Sequence, residues 1–381
     1  MPWERKTVEQ QREEFVQTAI ASSNFSALCR EFGITRRTGY KWLERYRNQE
    51  ALTDRSCRPH NSPRKTPGHV EALILAVRDE NPGWGARRIH AVLERRGWTD
   101  IPCVKTINNI LQRNGRIQEE ESLQRKMYQR FAMPACNLLW QTDFKGEFHM
   151  ANGQYCYPLT ILDDHSRFAL QIAPRSSTEN VVIPTFREVF QTYGLPDAIL
   201  SDNGAQFAGF RHGYTRFEKW LMDLDILPIH GRIRHPQTQG KIERFHRTLK
   251  HELLQRTTFA DIQDAQKQLD QWRNKYNHLR PHEALGMKCP AEVYVPSPQK
   301  MPETIPEFSY GGNFHVIKVN NWGYVRFANW QVYLSETMAG QYIEFRPSRD
   351  GTTFWACYRN FKIAEFDCDS GNRLNRLISR L

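Results

Sequence analysis

The chain has 381 residues, of which 39% are hydrophobic and 25% charged, with a net charge of +11 and an isoelectric point near 9.3. That length exceeds one ordinary hydrophobic core, so several soluble domains are expected, and the basic balance points to a polyanionic partner. No stretch reaches the roughly 18 apolar residues of a membrane span, and no apolar run follows the N-terminus as a signal peptide requires. Eight scattered cysteines without a CxxC pair argue against a structural zinc and fit thiols in a reducing cytoplasm. The positive surplus falls along the chain: +5 over residues 1–65, +3 over 66–135, +2 over 136–290 and +1 over 291–381. A charge kept only for solubility would not be graded in this way.

Residues 1–50 read as three helices. Asn24 is placed to cap the second, Gly33 ends it, and the third opens at Thr35. A short helix, a glycine turn and a basic helix make helix-turn-helix spacing. Thr35, Arg36, Arg37, Thr38 and Lys41 would meet phosphates or base edges, with Trp42 and Tyr46 packed inward. Residues 51–66, with Pro59, Pro63 and the following Pro67 near Arg58, Arg64 and Lys65, suit a basic linker running along DNA. The pattern repeats over 67–116, with helices near 68–81, 84–97 and 102–111. Here Val104, Ile107, Ile110 and Leu111 form an apolar stripe, while Arg87, Arg88, Lys105, Thr106, Asn108, Asn109 and Arg113 are polar groups suited to DNA. Two such modules imply a long, bipartite DNA site. Residues 117–137 are charged and helix-prone, a connector.

Residues 138–290 read as an α/β unit. Strands are expected at 138–150, 154–163 and 167–174 in hairpin order. A helix over 179–193, a strand 198–202, a helix 214–224, a strand 226–230 and helices over 238–256 and 261–278 follow. Three antiparallel strands followed by alternating helix and strand is the order of a ribonuclease-H-like sheet. It places Asp143 on the first strand, Asp202 just after the fourth, and Glu243 on a helix that packs back against them. Three such carboxylates could converge on a divalent metal. In that helix Glu243, Arg247 and Lys250 stand at i, i+4 and i+7, on one face. Asp163-Asp164 reads as turn chemistry. Residues 291–306 carry four prolines after position 295, a second linker. Six short strands between 313 and 366 then predict a small β-barrel-like or sandwich domain over 307–381, with Asp350-Gly351 as a hairpin signal.

With these residues in view, the chain resembles bacterial insertion-sequence transposases with a retroviral-integrase-type catalytic core. The resemblance rests on Trp140-Gln-Thr-Asp143-Phe, Leu162-Asp-Asp-His-Ser-Arg167, Asp202-Asn-Gly204, Gln239-Gly-Lys-Ile-Glu243-Arg-Phe-His246 and Tyr276-Asn-x-x-Arg280-Pro-His282. It implies that Asp143, Asp202 and Glu243 are a DDE catalytic triad and that Lys250 is the basic residue typical of insertion-sequence members. Two features depart from the pattern. The interval from Asp202 to Glu243 is long, with extra residues around 210–216, and helix-turn-helix units stand where retroviral integrases have a zinc module.

The chemistry the resemblance implies is two-metal phosphoryl transfer with Mg²⁺ or Mn²⁺, the two ions of each active site about 3.5–4 Å apart. Asp143 would bridge both, and Asp202 and Glu243 would each hold one. Lys241, Arg247 and Lys250 would grip the DNA backbone near the cut. The expected function is binding of terminal inverted repeats, cleavage to free a 3′-hydroxyl, and joining of that hydroxyl to target DNA, by at least a homodimer. A catalytically silent DNA-binding regulator is the alternative. A ribonuclease-H-like hydrolase of hybrids leaves the paired helix-turn-helix units without a role.

Overall fold

The computed structural model describes residues 6–55, 65–117, 132–178, 180–209, 213–231, 240–312, 314–348, 351–375 and 378–381. It forms two compact units, Met1–Lys65 and Thr66–Leu381. Among the described residues no helix is long and apolar enough to cross a membrane. Arg58 and Arg64 of the first linker, most of the 117–137 connector, and Asp350 of the expected hairpin lie outside the described residues.

The first unit contains α1 (Val8–Ala21), α2 (Phe25–Glu31) and α3 (Arg36–Arg47). Thr7, Asn24 and Thr35 each cap a helix by accepting a backbone N–H through the side chain, which satisfies donors that a helix start leaves open. Gly33, at φ +63°, makes the turn between α2 and α3. Phe15, Val16, Leu28, Cys29, Trp42 and Leu43 form the core. Tyr46 does not join them: it is 39% exposed, and its hydroxyl accepts from Gln17 Nε2 of α1 at 3.5 Å. Gly39 lies where the helices cross, and a Cβ there would come within 2.8 Å of the Cys29 sulfur and 2.9 Å of Phe15.

The second unit opens with α4 (Gly68–Glu80), α5 (Ala86–Arg95) and α6 (Val104–Arg113), around Ile74, Trp84, Ile89, Ile107 and Ile110. The central sheet follows. It consists of β1 (Trp140–Phe144), β4 (Leu159–Asp163), β5 (Ala169–Ala173), β6 (Ala198–Ser201) and β7 (Leu227–His230), in the order β5-β4-β1-β6-β7. The β1/β4 and β4/β5 pairs are antiparallel, whereas β1/β6 and β6/β7 are parallel. A small hairpin, β2 (Phe148–His149) with β3 (Tyr155–Cys156), extends beyond β1. Alternation along the strands divides the side chains between two faces. On one face Trp140, Leu159, Ile161 and Ile199 meet α7 (Val182–Tyr193) and α8 (Arg216–Asp223) through Phe186, Phe190, Phe217 and Trp220. On the other, Leu162, Ala169 and Ile172 meet α9 (Gly240–Leu249) and α10 (Ile262–His278) through Phe245, Leu249, Trp272 and Tyr276. A five-residue π-helical turn, Lys250–Leu254, continues α9.

The C-terminal region is all-β. The strands β8 (His315–Lys318), β11 (Tyr342–Pro347), β12 (Thr353–Tyr358), β13 (Phe361–Asp367) and β14 (Arg373–Asn375) form one sheet in the order β14-β13-β12-β11-β8, with β15 (Ser379–Arg380) also on β13. The separate pair β9 (Tyr324–Phe327) and β10 (Trp330–Tyr333) packs beside it. The sheet order is open among the described residues, so the expected barrel-like closure is not seen. Residues 213–225 are what this region docks on. Tyr214 and Met222 are part of its apolar core, and the Tyr214 hydroxyl donates to the Ile363 carbonyl. Tyr358 donates to Asp223 Oδ1 at 2.5 Å. The long interval between Asp202 and Glu243 therefore includes the seat of the C-terminal region; its residues 210–212 lie outside the described set.

The tight crossing at Gly39 generates a prediction. Gly39→Ala should loosen α1–α3 by about 1–3 kcal/mol, the usual range for overpacking. Hydrogen-exchange mass spectrometry of the full chain should then show faster exchange across α1 and α3, with α5 and α6 unchanged.

Candidate active site

The parallel pairing of β1 with β6 sets the site. Trp140 lies opposite Ile199 and Gln141 opposite Leu200. Continuing that register two residues brings Asp143 level with Asp202, at the carboxyl ends of both strands, the edge where open α/β sheets place their sites. Asp202 stands in a tight turn, its Oδ1 accepting the Gly204 N–H at 3.0 Å. Helix α9 packs against β1 and brings Glu243, exposed in its first turn, to the same edge.

Electrostatics report that the three acids are close. The Asp143 carboxyl is pushed up to about 7, first by burial, then by the negative charge of Asp202, with Glu243 adding to it. Among the described residues, no three acidic, histidine or cysteine side chains are drawn together tightly enough to hold a metal ion as they stand. The donor chemistry nevertheless suits a hard divalent cation: oxygen donors only, on carboxylates that repel one another when charged.

Two further residues complete the surroundings. His246 is buried, with Nε2 2.7 Å from the Thr160 hydroxyl and Nδ1 3.7 Å from Asp143 Oδ2. Thr160 in turn donates to the Asp143 carbonyl at 2.9 Å, so its oxygen accepts from Nε2–H and the Nδ1 lone pair faces Asp143. Burial, with Lys145 nearby, pushes His246 down to about 3, so it is neutral at physiological pH. The sequence did not single out Lys145. It follows Asp143 by two residues, the strand spacing that returns a side chain to the same face. Burial and the neighbouring Lys250 lower its pKa, while Asp143 opposes the shift. Lys250 opens the π-helical turn, a rare geometry often found at functional sites. Arg247 and Lys250 are both exposed.

Several expected DNA contacts are used inside the protein instead. The Lys241 ammonium pairs with the buried Asp164 carboxylate and its carbonyl rather than reaching solvent. Arg88 is half-buried and donates to the Pro281 carbonyl at 3.2 Å, while Arg87 faces Glu283 at 3.8 Å. With Arg95, which bonds the Met287 carbonyl and Glu292 at 2.8 Å each, they dock α5 on the segment after α10. Arg113 forms a fork with Glu71 across the second three-helix module. By contrast Arg36, Arg37, Lys41, Lys65, Lys105, Asn108 and Asn109 are exposed, with Thr106 partly so. Thr35 and Thr38 are tied to each other in the N-cap of α3. The Tyr276–His282 segment is packing: Tyr276 meets Phe245 edge-on and Arg280 pairs with Glu252 at 2.9 Å.

Residues 134–236 and 224–290 match the family described as Integrase core domain, and residues 11–60 and 38–111 match the Helix-turn-helix and Homeodomain-like domains. Residues 134–290 therefore match an integrase core, and the chain is similar to insertion-element transposases. It is 29% identical over 234 residues to the transposase InsD for insertion element IS2 of Escherichia coli, covering 58% of this chain and 76% of that protein. It is 25% identical over 228 residues to the insertion element IS407 uncharacterized 31.7 kDa protein of Burkholderia multivorans, covering 58% and 79%. Among solved structures, the HTLV-2 integrase catalytic core domain in complex with magnesium is 16% identical, covering 42% of this chain and 99% of that chain at a TM-score of 0.33.

The raised Asp143 pKa has a measurable sign. The folded state keeps the Asp143 proton up to about pH 7, while the unfolded carboxyl loses it near 3.8. The folded form therefore binds more protons between those values, and this group's contribution to stability declines as pH rises through that window. His246 acts in the opposite sense, since its stabilising neutrality is lost as pH falls from the unfolded value of 6.5 towards 3. The two are separated by comparing Asp143→Asn with the wild type in the absence of divalent metal. Their melting temperatures should agree near pH 4, and the variant should become the more stable as pH approaches 8.

Proposed function

We propose that this protein is a DNA transposase that binds the ends of its own element, nicks them to free 3′-hydroxyls and joins those to target DNA. The observation that carries the reading is the β1/β6 register that sets Asp143 level with Asp202, with the Asp143 carboxyl raised by burial first and then by the charges of Asp202 and Glu243. Acids set this close without an ion pair of their own are costly unless a cation accompanies them.

Asp143, Asp202 and Glu243 would hold Mg²⁺ or Mn²⁺, which when bound supplies charge neutralisation at phosphorus and activates the attacking oxygen. Neutral His246, bonded through Thr160 to the Asp143 backbone, keeps that strand end and its carboxylate in one orientation. Lys145, Arg247 and Lys250 present positive charge to the scissile strand. Lys145 is the most enclosed of these, half-buried beside Asp143. The first helix-turn-helix would read DNA through the exposed Arg36, Arg37 and Lys41 at the start of α3. The second would use Lys105, Thr106, Asn108 and Asn109 of α6, because Arg88 of α5 is bonded to the Pro281 carbonyl and Arg87 faces Glu283. Element ends come in pairs, so the working form is at least a dimer.

Asp143→Asn tests the assignment. Gel-shift affinity for element-end DNA should stay within about twofold of wild type, while Mg²⁺-dependent nicking should fall by about a thousandfold or more, as expected when transition-state charge stabilisation is removed. Wild-type protein that binds ends tightly yet never nicks them would instead identify a silent DNA-binding regulator.

A further inference from the structure

The Asp163-Asp164-His165-Ser166-Arg167 turn contains more buried charge than a turn needs. Asp163 alone closes it: Oδ1 accepts the Ser166 N–H at 2.7 Å and the Ser166 hydroxyl at 2.6 Å, and Oδ2 accepts the Asn137 N–H at 2.9 Å. Asp164 is also fully buried, but its bonds point elsewhere. Its Oδ1 accepts from Gln141 Nε2 at 2.8 Å, and its Oδ2 accepts the Met133 N–H at 2.8 Å and the Lys241 ammonium. Lys241 also donates to the Asp164 carbonyl at 3.1 Å. The other end of the same Gln141 amide, Oε1, accepts the Ile242 N–H at 3.3 Å. Gln141 stands two residues before Asp143 on β1, and Lys241 and Ile242 immediately precede Glu243 on α9.

We propose that Asp164, through Lys241 and Gln141, is a positioning residue that fixes the first turn of α9 against β1 and so sets the separation of Glu243 from Asp143 for the metal that both would hold. The apolar anchors Ile242, Phe245 and Leu249 seat the helix on the sheet, but such contacts are non-directional and leave it free to turn or slide by small amounts. The bonds to Asp164 and Gln141 are directional and buried, and breaking one strands the others without solvent. Glu243 itself is exposed, so the placement of its carboxylate depends on the turn that bears it.

This inference rests on the proposed metal site, and the test separates the two. Mn²⁺ alone is titrated into full-length wild type, Asp164→Asn, Lys241→Met and the double variant, and its dissociation constant is read by water-proton relaxation. Thermal melting and gel-shift affinity for end DNA are measured in parallel. Each single variant should raise the Mn²⁺ dissociation constant about tenfold or more, the usual effect of losing a residue behind a metal ligand. The double variant should add little beyond either one, because both act through one unit, and end-DNA affinity should hold. Should Asp164→Asn fail to fold, Lys241→Met, which keeps the length of an apolar side chain at the less buried partner, carries the comparison. An unchanged Mn²⁺ dissociation constant in a folded variant overturns the clamp, as does an effect that simply adds in the double variant. A wild type that binds Mn²⁺ but does not nick DNA overturns the transposase reading and leaves the clamp to be judged by the titration. A wild type that binds no Mn²⁺ removes both.

Discussion

Two strands running side by side in the same direction impose the constraint on which this molecule depends. Parallel pairing of β1 with β6 places both carboxyl ends on one edge of the sheet, and the register brings Asp143 level with Asp202. Antiparallel pairing would have put the two acids at opposite ends. The parallel arrangement needs a crossover, and the segment containing β4, β5 and α7 supplies it, with α7 buried on one face through Phe186 and Phe190. The opposite face is then open to α9, which brings a third acid to the same edge. The sheet's topology thus creates a local concentration of negative charge that packing alone would disfavour. Burial and, after it, this charge together push the Asp143 carboxyl up to about 7.

A site strained in this way needs rigid supports, and they are made of buried hydrogen bonds. Thr160 links the Asp143 backbone to His246 of α9. Gln141 spans from Asp164 to the Ile242 N–H. On the far side of Asp202, His230 lies between Ser201 at 3.1 Å and the fully buried Glu218 at 2.8 Å, joining the ends of β6 and β7 to α8. Each acid therefore has a neighbour fixed by directional bonds, and of the three carboxylates that of Glu243 stands on an exposed residue. A three-carboxylate cation site must bind without collapsing onto itself, and this division of labour suits it.

Periodicity and spacing in the sequence were enough to locate the elements. The strands expected within 154–163 and 167–174, the glycine turn at 33, and the helical run from Gly240 to Leu249 all appear where the chain suggests them. The three acids were legible for the same reason, since each ends or opens an element whose period is plain. What the sequence hid was the destination of the cations. Lys241, Arg87 and Arg88 have the same local signature as Lys250, Arg36 and Arg37: a basic residue on an amphipathic helix. Whether such a group meets a phosphate, a carbonyl or a buried aspartate depends on partners such as Pro281 and Asp164, distant in the chain. Tyr46 was missed through the opposite error, because helical spacing from Trp42 puts it on the inward face but does not tell that its hydroxyl meets the exposed Gln17 of α1. The open C-terminal sheet has a similar cause, since strand count and length leave closure undetermined.

The internal use of α5 has a consequence for how such a protein could reach DNA. Arg88, Arg95 and Lys275 tie the second three-helix module to the integrase core, with Lys275 donating to the Glu80 carbonyl at 3.1 Å. Its α6 face is therefore presented at a fixed distance and angle from the acids. The first module belongs to a separate compact unit, Met1–Lys65, with its own core around Phe15, Leu28 and Trp42. The positive surplus is largest over residues 1–65 and smallest over 291–381, so long-range attraction for a polyanion is strongest at the first module.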